Sequence, residues 1–464
     1  MVRLPLLEDS PIVALATPAG VSGVAVLRLS GAAGMVDKLL PLLQRPDGSP
    51  LGRHHLPPRR MQRVSFMDEG EILDTMLAVF FPAPHSFTGE EMVELHGHGA
   101  PVVVRRILAL LHQQGIRAAG AGEFSLRACR NGKMNLVQAE AMMQLLHSSS
   151  LVVAREASRQ MGGSLSNHIF KLRDRLLEAL IHMEAMVDFA EEEIDPADGQ
   201  QLNRRLTEVV SGLQRLQDTS LLGRQLSQGV HLVIAGRPNV GKSSLFNRLV
   251  GEEKAIVTPI AGTTRDMNDA QLTIRGIPVC LVDTAGLRES VDMVEQIGVS
   301  RSRQRLTTAD GILWLLDASQ GISQEDMEEL SKHGQEPGLL VWNKRDCQPA
   351  QWTPPPLAHI PWPVVTLSCR TGEGVEDLLH AIATLLAPLP REGGGILMAE
   401  RHRQAVELAL QETRLAQEML VRSGPLEIAS LHCRAALAAL EEMVGVVSNE
   451  DILQGIFSQF CIGK

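Results

Sequence analysis

A glycine-rich stretch, GRPNVGKSS (236–244), constrains this chain more than any other feature of its sequence. It follows an apolar run of strand length, VHLVIA, and precedes a pattern typical of a helix. Glycines at this spacing let backbone N–H groups wrap phosphate oxygens at a helix N-terminus. The stretch therefore predicts a phosphate-binding loop, with Lys242 on the β and γ oxygens and Ser243 on Mg²⁺. Taken alone, it also suits a plain glycine-rich turn before a helix.

Three further segments follow in order, each at the end of a predicted strand. DTAG (283–286) offers Asp283 to the water of a metal ion and the N–H of Gly286 to a γ-phosphate. In NKRD (343–346), Asp346 can accept from both N–H groups on the Watson–Crick edge of guanine, where adenine has no matching pair. Asn343 can bond the other edge of the base, and the Lys344 stem can cover its plane. In SCR (368–370), a backbone N–H can meet guanine O6.

Four ordered elements at predicted strand ends indicate a GTP-binding domain. The predicted nucleotide contacts in these motifs are Asn239, Val240, Gly241, Lys242, Ser243, Ser244, Thr264, Asp283, Thr284, Ala285, Gly286, Asn343, Lys344, Asp346, Ser368, Cys369 and Arg370.

A threonine segment, GTTRD (262–266), lies between the helix of the phosphate-binding loop and a predicted hairpin. A threonine here typically reaches Mg²⁺ while the γ-phosphate is present, which makes Thr264 the predicted second protein ligand. A plain turn is the alternative. The residue after DTAG is Leu287, which has no polar atom to orient an attacking water. Another group must do so, and Arg288, Glu289 and Glu295 are the nearby candidates.

The pattern along the chain predicts a multidomain fold: an α+β N-terminal domain, an α-helical domain, and an inserted Ras-like α/β P-loop GTPase domain. Strand–helix alternation over 229–384 is typical of a parallel sheet, to which a hairpin at 269–283 adds one antiparallel strand. An acidic stretch at 190–199 is predicted to be a loop, and PLPREGGG (388–395) a linker. The predicted boundaries are 1–131 for the N-terminal domain, 132–222 and 389–464 for the two halves of the helical domain, and 223–388 for the GTPase domain.

Composition narrows the function classes. The net charge is −10 and only 3% of residues are aromatic, with no tyrosine, which disfavours a nucleic-acid coat protein or a base-stacking surface. Six scattered cysteines without a C-x-x-C pair favour a reducing cytosol. No signal peptide and no apolar run of about 18 residues is visible, so we expect a cytoplasmic chain without membrane partners. His96 and His98 resemble a metal pair only superficially, because no third ligand is visible.

Long motifs carry a resemblance to one family. ATPAGVSGVAVLRLSG (16–31), PHSFTGEEMVELHGHG (84–99), GEFSLRACRNGKMNLVQAEA (122–141), DTAGLRES (283–290) and FCIGK (460–464) resemble the MnmE (TrmE) family of tRNA-modifying GTPases. The resemblance covers essentially the whole chain. It implies a homodimer that works with the FAD-dependent MnmG (GidA) in a heterotetramer or larger complex, on tRNA shared with that partner.

The same resemblance implies the reaction. An aminomethyl or carboxymethylaminomethyl group is added to carbon 5 of the wobble uridine of certain tRNAs, and GTP is hydrolysed to GDP. A tetrahydrofolate derivative, 5-formyl- or methylene-tetrahydrofolate, supplies the one-carbon unit. The N-terminal domain is implied to bind this folate and to form the dimer, and the GTPase domains to pair across it.

Site residues follow from the resemblance, residue by residue. It implies K⁺ ligation by Asn239, Thr258, Ile260 and Thr263, of which Thr258 and Thr263 also join the nucleotide contacts. It implies that Glu295 orients the attacking water, as Leu287 cannot. Arg370 stands where the family pattern has lysine. The implied folate contacts are Arg28, Glu94, Arg127, Lys133 and Lys464, although buried Arg or Glu at strand ends is often purely structural.

The chain ends in FSQFCIGK (457–464), which contains Cys461. A prenylation box is disfavoured because Gly463 is not aliphatic and no basic cluster precedes it. Phe457 and Phe460 are predicted to anchor the base of a short flexible arm. In a dimer with folate at its interface, Cys461 could reach the one-carbon donor as a nucleophile or as a contact; a buried structural thiol is the alternative.

Two other function classes remain open. A ribosome-assembly GTPase would often append a basic RNA-binding module, yet residues 397–464 hold six Lys and Arg against nine Asp and Glu. A regulatory GTP switch on a folate-binding dimer, without direct tRNA chemistry, is harder to dismiss, since no residue in the sequence must touch uridine.

Overall fold

The computed structural model describes residues 9–188, 196–252, 269–274, 276–283, 309–334, 336–357, 360–386, 395–422, 424–446, 450–458, 460 and 463. The chain divides into two compact units. The first, called here the N-terminal unit, combines Met1–Met143 with Leu440–Lys464, and the second, the central unit, is Gln144–Ala439. Within the described residues, no helix combines the length and apolar character that a membrane crossing requires.

The N-terminal unit is built on a seven-stranded sheet in the order β3-β4-β5-β6-β2-β1-β7. All neighbouring strands are antiparallel except β1 and β7, which are parallel. Its strands are β1 Ile12–Leu15, β2 Ser22–Gly31, β3 Leu43–Gln44, β4 Gln62–Asp68, β5 Glu71–Phe81, β6 Glu91–Gly99 and β7 Arg117–Ala118. Its first helices are α1 Met35–Leu39, α2 Pro101–Gln113 and α3 Glu123–Arg130. The mixture confirms the predicted α+β class.

Helix α2 covers one face of this sheet. Pro101 occupies the first turn, where its missing N–H costs nothing, and Gly115 follows the helix in a left-handed conformation (φ 74°). Ile107 and Leu111 are fully buried in the same cluster as Leu27 and Leu95 of the strands. Burial of these side chains supplies the main free energy that holds the helix on the sheet.

The C-terminal residues complete the N-terminal unit. Helix α14 (Glu450–Phe457) contacts α3, and the rings of Phe457 and Phe460 lie 5.1 Å apart in a buried cluster with Leu136. These are the apolar anchors predicted for the tail. Gly463 is buried and accepts a hydrogen bond from Arg28 through its carbonyl oxygen, 3.4 Å away. At this residue the structure therefore differs from the flexible arm that we expected. Cys461 and Lys464 lie outside the described residues.

Replacing Gly122 with alanine is expected to destabilise this docking of the tail. Gly122 has a φ of 65°, and a Cβ there would lie 2.6 Å from the carbonyl oxygen of Phe457. Strained backbone and a backbone clash together should lower the free energy of unfolding by about 2–4 kcal/mol. Urea denaturation of the full chain measures the change.

Gly132 provides a matched control for this substitution. Its φ is 66°, but nothing lies within 4 Å of a Cβ built on it. Gly132→Ala should therefore cost only the backbone term, about 1 kcal/mol. Equal losses for the two variants would show that the contact with Phe457 contributes nothing.

The central unit contains a six-stranded sheet in the order β13-β12-β11-β8-β10-β9. Every pair is parallel except β9 and β10, which form the predicted hairpin. The strands are β8 Val230–Ala235, β9 Asp269–Ile274, β10 Ile277–Asp283, β11 Gly311–Asp317, β12 Gly338–Asn343 and β13 Val364–Thr366. The described helices between them are α9 Lys242–Glu252, α10 Gln324–His333 and α11 Val375–Leu385. The predicted α/β class is confirmed.

The remaining helices lie in the predicted helical segments, except that α8 runs past residue 222, where the first helical half was predicted to end. They are α4 Leu136–Leu146, α5 Leu151–Met161, α6 Ser164–Asp188, α7 Pro196–Gln217, α8 Ser220–Gln228, α12 Glu400–Val421 and α13 Leu426–Val444. Helix α7 begins at Pro196, so the prediction of a loop over all of 190–199 was wrong for its last four residues. Proline favours the first turn of a helix, which explains the earlier start. Residues 388–394 of the predicted linker lie outside the described chain.

Two of these helices share a core with the GTPase-type sheet. Val153 of α5 and Leu226 of α8 belong to one buried cluster with Leu272 of β9 and Val279 of β10. The turn of the hairpin is fixed as well, because Ser150, the N-cap of α5, donates its hydroxyl to the carbonyl oxygen of Gly276 at 2.6 Å. The helices and the sheet thus form one packed body within the central unit.

Candidate functional site

The sheet of the central unit brings its strand ends to one edge. The carboxyl ends of β8, β10, β11, β12 and β13 all lie there, because these strands are mutually parallel. In open α/β sheets this edge is where ligands bind. Asp283 ends β10, and its backbone pairs with Ile234 of β8. The geometry therefore brings the phosphate-binding loop, the last residue of β10, NKRD and SCR to the same edge, while residues 284–286 of DTAG lie outside the described chain.

The phosphate-binding loop joins β8 to α9. Gly236 and Gly241 both have left-handed backbone conformations, with φ of 136° and 102°. A Cβ on Gly236 would lie 2.4 Å from the carbonyl oxygen of Leu315, and one on Gly241 would lie 2.2 Å from Nδ2 of Asn343. Only glycine fits both positions, as the motif requires.

Lys242 opens α9 and is 8% exposed. Its Nζ donates to the carbonyl oxygens of Gly236 at 2.9 Å and Arg237 at 2.8 Å. The ammonium thus lies over the loop that would enclose a phosphate. Ser243 and Ser244 follow it in the first turn of α9 and are exposed. Both serines therefore lie at the N-terminus of the helix that follows the loop.

Asn343 ties three segments of the site together. It is 3% exposed, and its Nδ2 donates to the carbonyl oxygen of Val240 in the phosphate-binding loop at 2.9 Å. Its Oδ1 accepts from the backbone N–H of Cys369 at 3.0 Å. One buried amide therefore connects the phosphate-binding loop, the end of β12 and the SCR segment. Burial raises the pKa of the Cys369 thiol to about 11, so this cysteine stays protonated near neutral pH.

Asp346 is held from two sides. Its Oδ1 accepts from the hydroxyl of Ser368 at 2.6 Å, and its Oδ2 lies 2.5 Å from a guanidinium nitrogen of Arg370. The Ser368 hydrogen bond, and then the charge of Arg370, keep the pKa of Asp346 below its ordinary value. The carboxylate is thus ionised near neutral pH and held in one orientation at the carboxyl edge of the sheet.

Lys344 crosses from this region to the phosphate-binding loop. Its backbone is left-handed (φ 64°), and its Nζ donates to the carbonyl oxygen of Asn239 at 3.0 Å. A second partner, Asp317 at the end of β11, lies 2.6 Å from the same nitrogen. Asp317 was not among the predicted site residues, although its place at a strand's carboxyl end was a signal that could have found it.

Several predicted residues lie outside the described chain. They are Thr258, Ile260, Thr263, Thr264, Thr284, Ala285, Gly286 and Glu295 of the GTPase domain, together with Cys461 and Lys464 of the tail. Their assignments remain predictions.

In the N-terminal unit, two predicted folate contacts meet. Arg28 and Glu94 face each other across β2 and β6, and their side chains form an ion pair of 2.9 Å. They are 23% and 18% exposed, so a ligand can reach the pair. The guanidinium of Arg28 also lies 5.8 Å from the ring centre of Phe87, an aromatic residue that was not predicted for the site.

Arg127 lies in an adjoining buried network. Its guanidinium donates to Glu90 at 3.0 Å, to Glu123 at 2.9 Å and to the carbonyl oxygen of Ser10 at 2.8 Å. Glu90 in turn accepts from Ser30, which lies two residues from Arg28 on β2. The described contacts of Arg127 are thus internal, whereas Lys133 is exposed beside the loop that contains Gly89.

The two histidines of LHGHG have separate partners. Nδ1 of His98 lies 2.7 Å from Asp74, and Nε2 of His96 lies 3.4 Å from Glu94. Throughout the described chain no group of three His, Cys, Asp or Glu side chains could hold a metal ion.

The sheet order, the glycine-dependent phosphate-binding loop and the oriented Asp346 define a P-loop GTPase. Comparisons with known proteins agree in detail. The MnmE helical domain model matches residues 136–461, and the model of the GTP-binding protein TrmE N-terminus matches residues 11–133. The tRNA modification GTPase MnmE of Magnetococcus marinus is 47% identical over 100% of both chains. That of Aquifex aeolicus is 40% identical over 98% of this chain and 99% of the relative. The chain belongs to the MnmE family of tRNA modification GTPases, and it is a GTP hydrolase.

Solved structures resemble part of the chain. Aquifex aeolicus Era bound to GDP and AlF4⁻ is 26% identical, with a TM-score of 0.27, over 40% of this chain and 67% of Era. The G domain of the T. maritima FeoB iron transporter is 28% identical, with a TM-score of 0.25, over 34% of this chain and 99% of that domain.

Proposed function

We propose that this chain is a K⁺-dependent GTPase that modifies tRNA together with the FAD-dependent protein MnmG. In this proposal it helps to add an aminomethyl or carboxymethylaminomethyl group to carbon 5 of the wobble uridine, with a tetrahydrofolate derivative as one-carbon donor. The observation that carries the proposal is the likeness to the tRNA modification GTPase MnmE of Magnetococcus marinus, 47% identical along the full length of both chains.

The GTP half of the proposal has direct residue support. Lys242 lies over the phosphate-binding loop, and hydrogen bonds hold Asp346 and Asn343 in place at the carboxyl edge of the sheet. Ser243, at the start of α9, would hold Mg²⁺ with Thr264, and the ion would offset charge on the β- and γ-phosphates. The chain's own contribution is to place these groups before the nucleotide arrives, which lowers the reorganisation that binding requires.

A K⁺ site would adjoin the phosphate-binding loop. Asn239 is exposed, has a left-handed backbone (φ 63°), and its carbonyl oxygen is already bonded to Lys344. Its side-chain amide oxygen is a ligand that an alkali cation accepts, so the residue fits the proposed role. Thr258, Ile260 and Thr263 would complete the shell, and Glu295 would orient the attacking water.

GTP hydrolysis is expected to be much faster in K⁺ than in Na⁺. A cation beside the oxygen that bridges the β- and γ-phosphates offsets charge that develops in the transition state. Na⁺ is smaller than K⁺ and fits a shell of K⁺ ligands poorly. Glu295→Ala should lower the turnover rate about a hundredfold or more while nucleotide affinity stays close to the parent. Steady-state phosphate release in matched salts, with nucleotide titrations, measures both. Equal rates in KCl and NaCl would defeat the cation assignment.

Folate binding would use the Arg28–Glu94 pair. A carboxylate suits the amide edge of a pteridine, and a guanidinium suits the glutamate tail of folate. The pair is accessible and lies beside Gly463, two residues after Cys461 in the sequence. Arg127 would act mainly by supporting this region, and Lys133 and Lys464 would add positive charge.

Val24, Ile72 and Leu77 are exposed on β2 and β5, which supports dimerisation through the N-terminal unit.

Nucleoside analysis of tRNA separates the enzyme from a regulatory switch. In cells that carry Lys133→Ala or Cys461→Ser, we expect the modified wobble uridine to fall at least tenfold, because each change removes a group proposed for the one-carbon site. Mass spectrometry of digested tRNA measures the loss, and GTP turnover of each purified variant serves as the control for folding. Unaltered modification in both variants would favour the regulatory alternative.

A further inference from the structure

The last residue of β11, Asp317, is a buried carboxylate beside the nucleotide site. It is 0% exposed and lies at the carboxyl edge of the sheet, next to the end of β12. An ionised carboxylate is costly to bury unless it is paired and hydrogen-bonded. Burial raises the pKa of Asp317, but hydrogen bonds from Lys344 and Ser319 outweigh that effect, so the net pKa lies below its ordinary value. The group is therefore an anion near neutral pH.

The two oxygens of Asp317 have separate tasks. Oδ1 accepts from the backbone N–H of Ser319 at 2.9 Å and from its hydroxyl at 2.6 Å. These contacts close a local turn and fix the plane of the carboxylate. Oδ2 then points at the Lys344 ammonium, 2.6 Å away. The acceptor is thus oriented by residues other than the lysine that it binds.

Lys344 is consequently fixed at both ends of its side chain. Its Cα lies in the left-handed turn after β12, and its Nζ is shared between Asp317 and the carbonyl oxygen of Asn239. An unpaired lysine stem samples many rotamers, and ordering it on ligand binding costs free energy. The Lys344 side chain is already ordered in the nucleotide-free chain, so nucleotide binding does not have to order it.

We propose that Asp317 is a positioning residue for guanine recognition. It holds the Lys344 stem across the base-binding region, so that one wall of the base pocket exists before GTP arrives. This inference rests on the assignment of Lys344 to the guanine site. Asp317 itself is not required to touch the nucleotide.

Asp317→Asn tests the proposal with little change in shape. Loss of the charge should release the lysine and raise the Kd for fluorescent N-methylanthraniloyl-GDP about tenfold to a hundredfold, mainly through faster dissociation. Because the group acts before chemistry, KM for GTP should rise while kcat at saturation stays near the parent value. A Kd equal to that of the parent would overturn the proposal.

A double-mutant cycle distinguishes positioning from a general structural effect. Lys344→Ala should weaken binding by itself, and Asp317→Asn should add nothing further in its presence, because the carboxylate acts through the lysine. Additive losses would show that Asp317 supports the fold rather than Lys344, and would overturn the proposal. If Lys344→Ala binds GDP like the parent, the base-site assignment fails instead.

Two further variants serve as controls. Ser319→Ala removes one hydrogen bond to the same carboxylate but keeps the pair with Lys344, so its effect on Kd should be smaller than that of Asp317→Asn. If Asp317→Asn does not fold, Lys344→Met keeps the stem and removes only the ammonium. GDP should then dissociate faster from Lys344→Met than from the parent, as predicted for Asp317→Asn. An unchanged dissociation rate would overturn the proposal.

Discussion

Asp346→Asn should change the preferred nucleotide from guanosine to xanthosine triphosphate. The carboxylate offers two acceptors to the N1–H and the 2-amino group of guanine, whereas asparagine opposes one of these donors with its own NH₂. Xanthine carries an oxygen at position 2, which that NH₂ can bond. A site built to read polar groups rejects the mismatched base strongly, so GTP turnover should fall about a thousandfold or more.

Competition between the two nucleotides during hydrolysis measures this switch. Arg370→Lys is the matched control, because it retains a cation beside Asp346. The Arg370 side chain is 77% exposed, so loss of its ion pair in Asp346→Asn should hardly affect folding. An Asp346→Asn variant that still prefers GTP would place base recognition elsewhere.

Lys242→Ala should lower the rate of GTP hydrolysis by at least about a hundredfold. Its ammonium lies over the phosphate-binding loop, 2.9 Å and 2.8 Å from two of the loop's own carbonyl oxygens. On binding, GTP would offer phosphate oxygens as stronger acceptors for the same charge. Without the Lys242 ammonium, bound GTP and the transition state each lose a charge-assisted contact in a partly desolvated site. Turnover should therefore fall about a hundredfold to a thousandfold.

Phosphate release and nucleotide titration together measure this loss. Lys332→Ala removes a lysine that pairs with Glu329 on α10 and should leave both quantities unchanged. Melting of the nucleotide-free variants would show whether the loop itself survives. Retained hydrolysis by a folded Lys242→Ala chain would contradict the proposed phosphate contacts.

The strands of the GTPase sheet were predictable because their pattern is strong. Buried parallel strands require continuous apolar runs, and GILWLLD is such a run, with all seven residues buried as β11. Strand β4 escaped prediction since polar residues surround its two buried apolar side chains, Val64 and Phe66. The two-residue strands β3 and β7 are too short to leave any periodic signal.

Some contacts of the nucleotide site could also be predicted from the sequence, and others could not. The motif glycines and Asp346 were predictable, because phosphate and guanine chemistry dictates those residue types at that spacing. The link from Asn343 to Val240 and the ion pair of Lys344 with Asp317 were not, because sequence distance does not show which side chains meet. Arg127 shows the same limit, since its internal contacts with Glu90 and Glu123 depend on how α3 lies against the loop before β6.

The core shared by α5, α8 and the β9–β10 hairpin makes the nucleotide-binding part an incomplete module. A fragment cut at the predicted boundaries of 223–388 would leave behind Val153, Ala157, Leu222, Ile396 and Met398, all of which are buried in its cluster. It would also lose the hydroxyl of Ser150 from the turn of the hairpin. Transplanted into another protein, this sheet would expose an apolar face to water and tend to aggregate. If the GTPase sheet were transferred to another protein during evolution, the helices that cover its apolar face would have to be transferred with it or replaced.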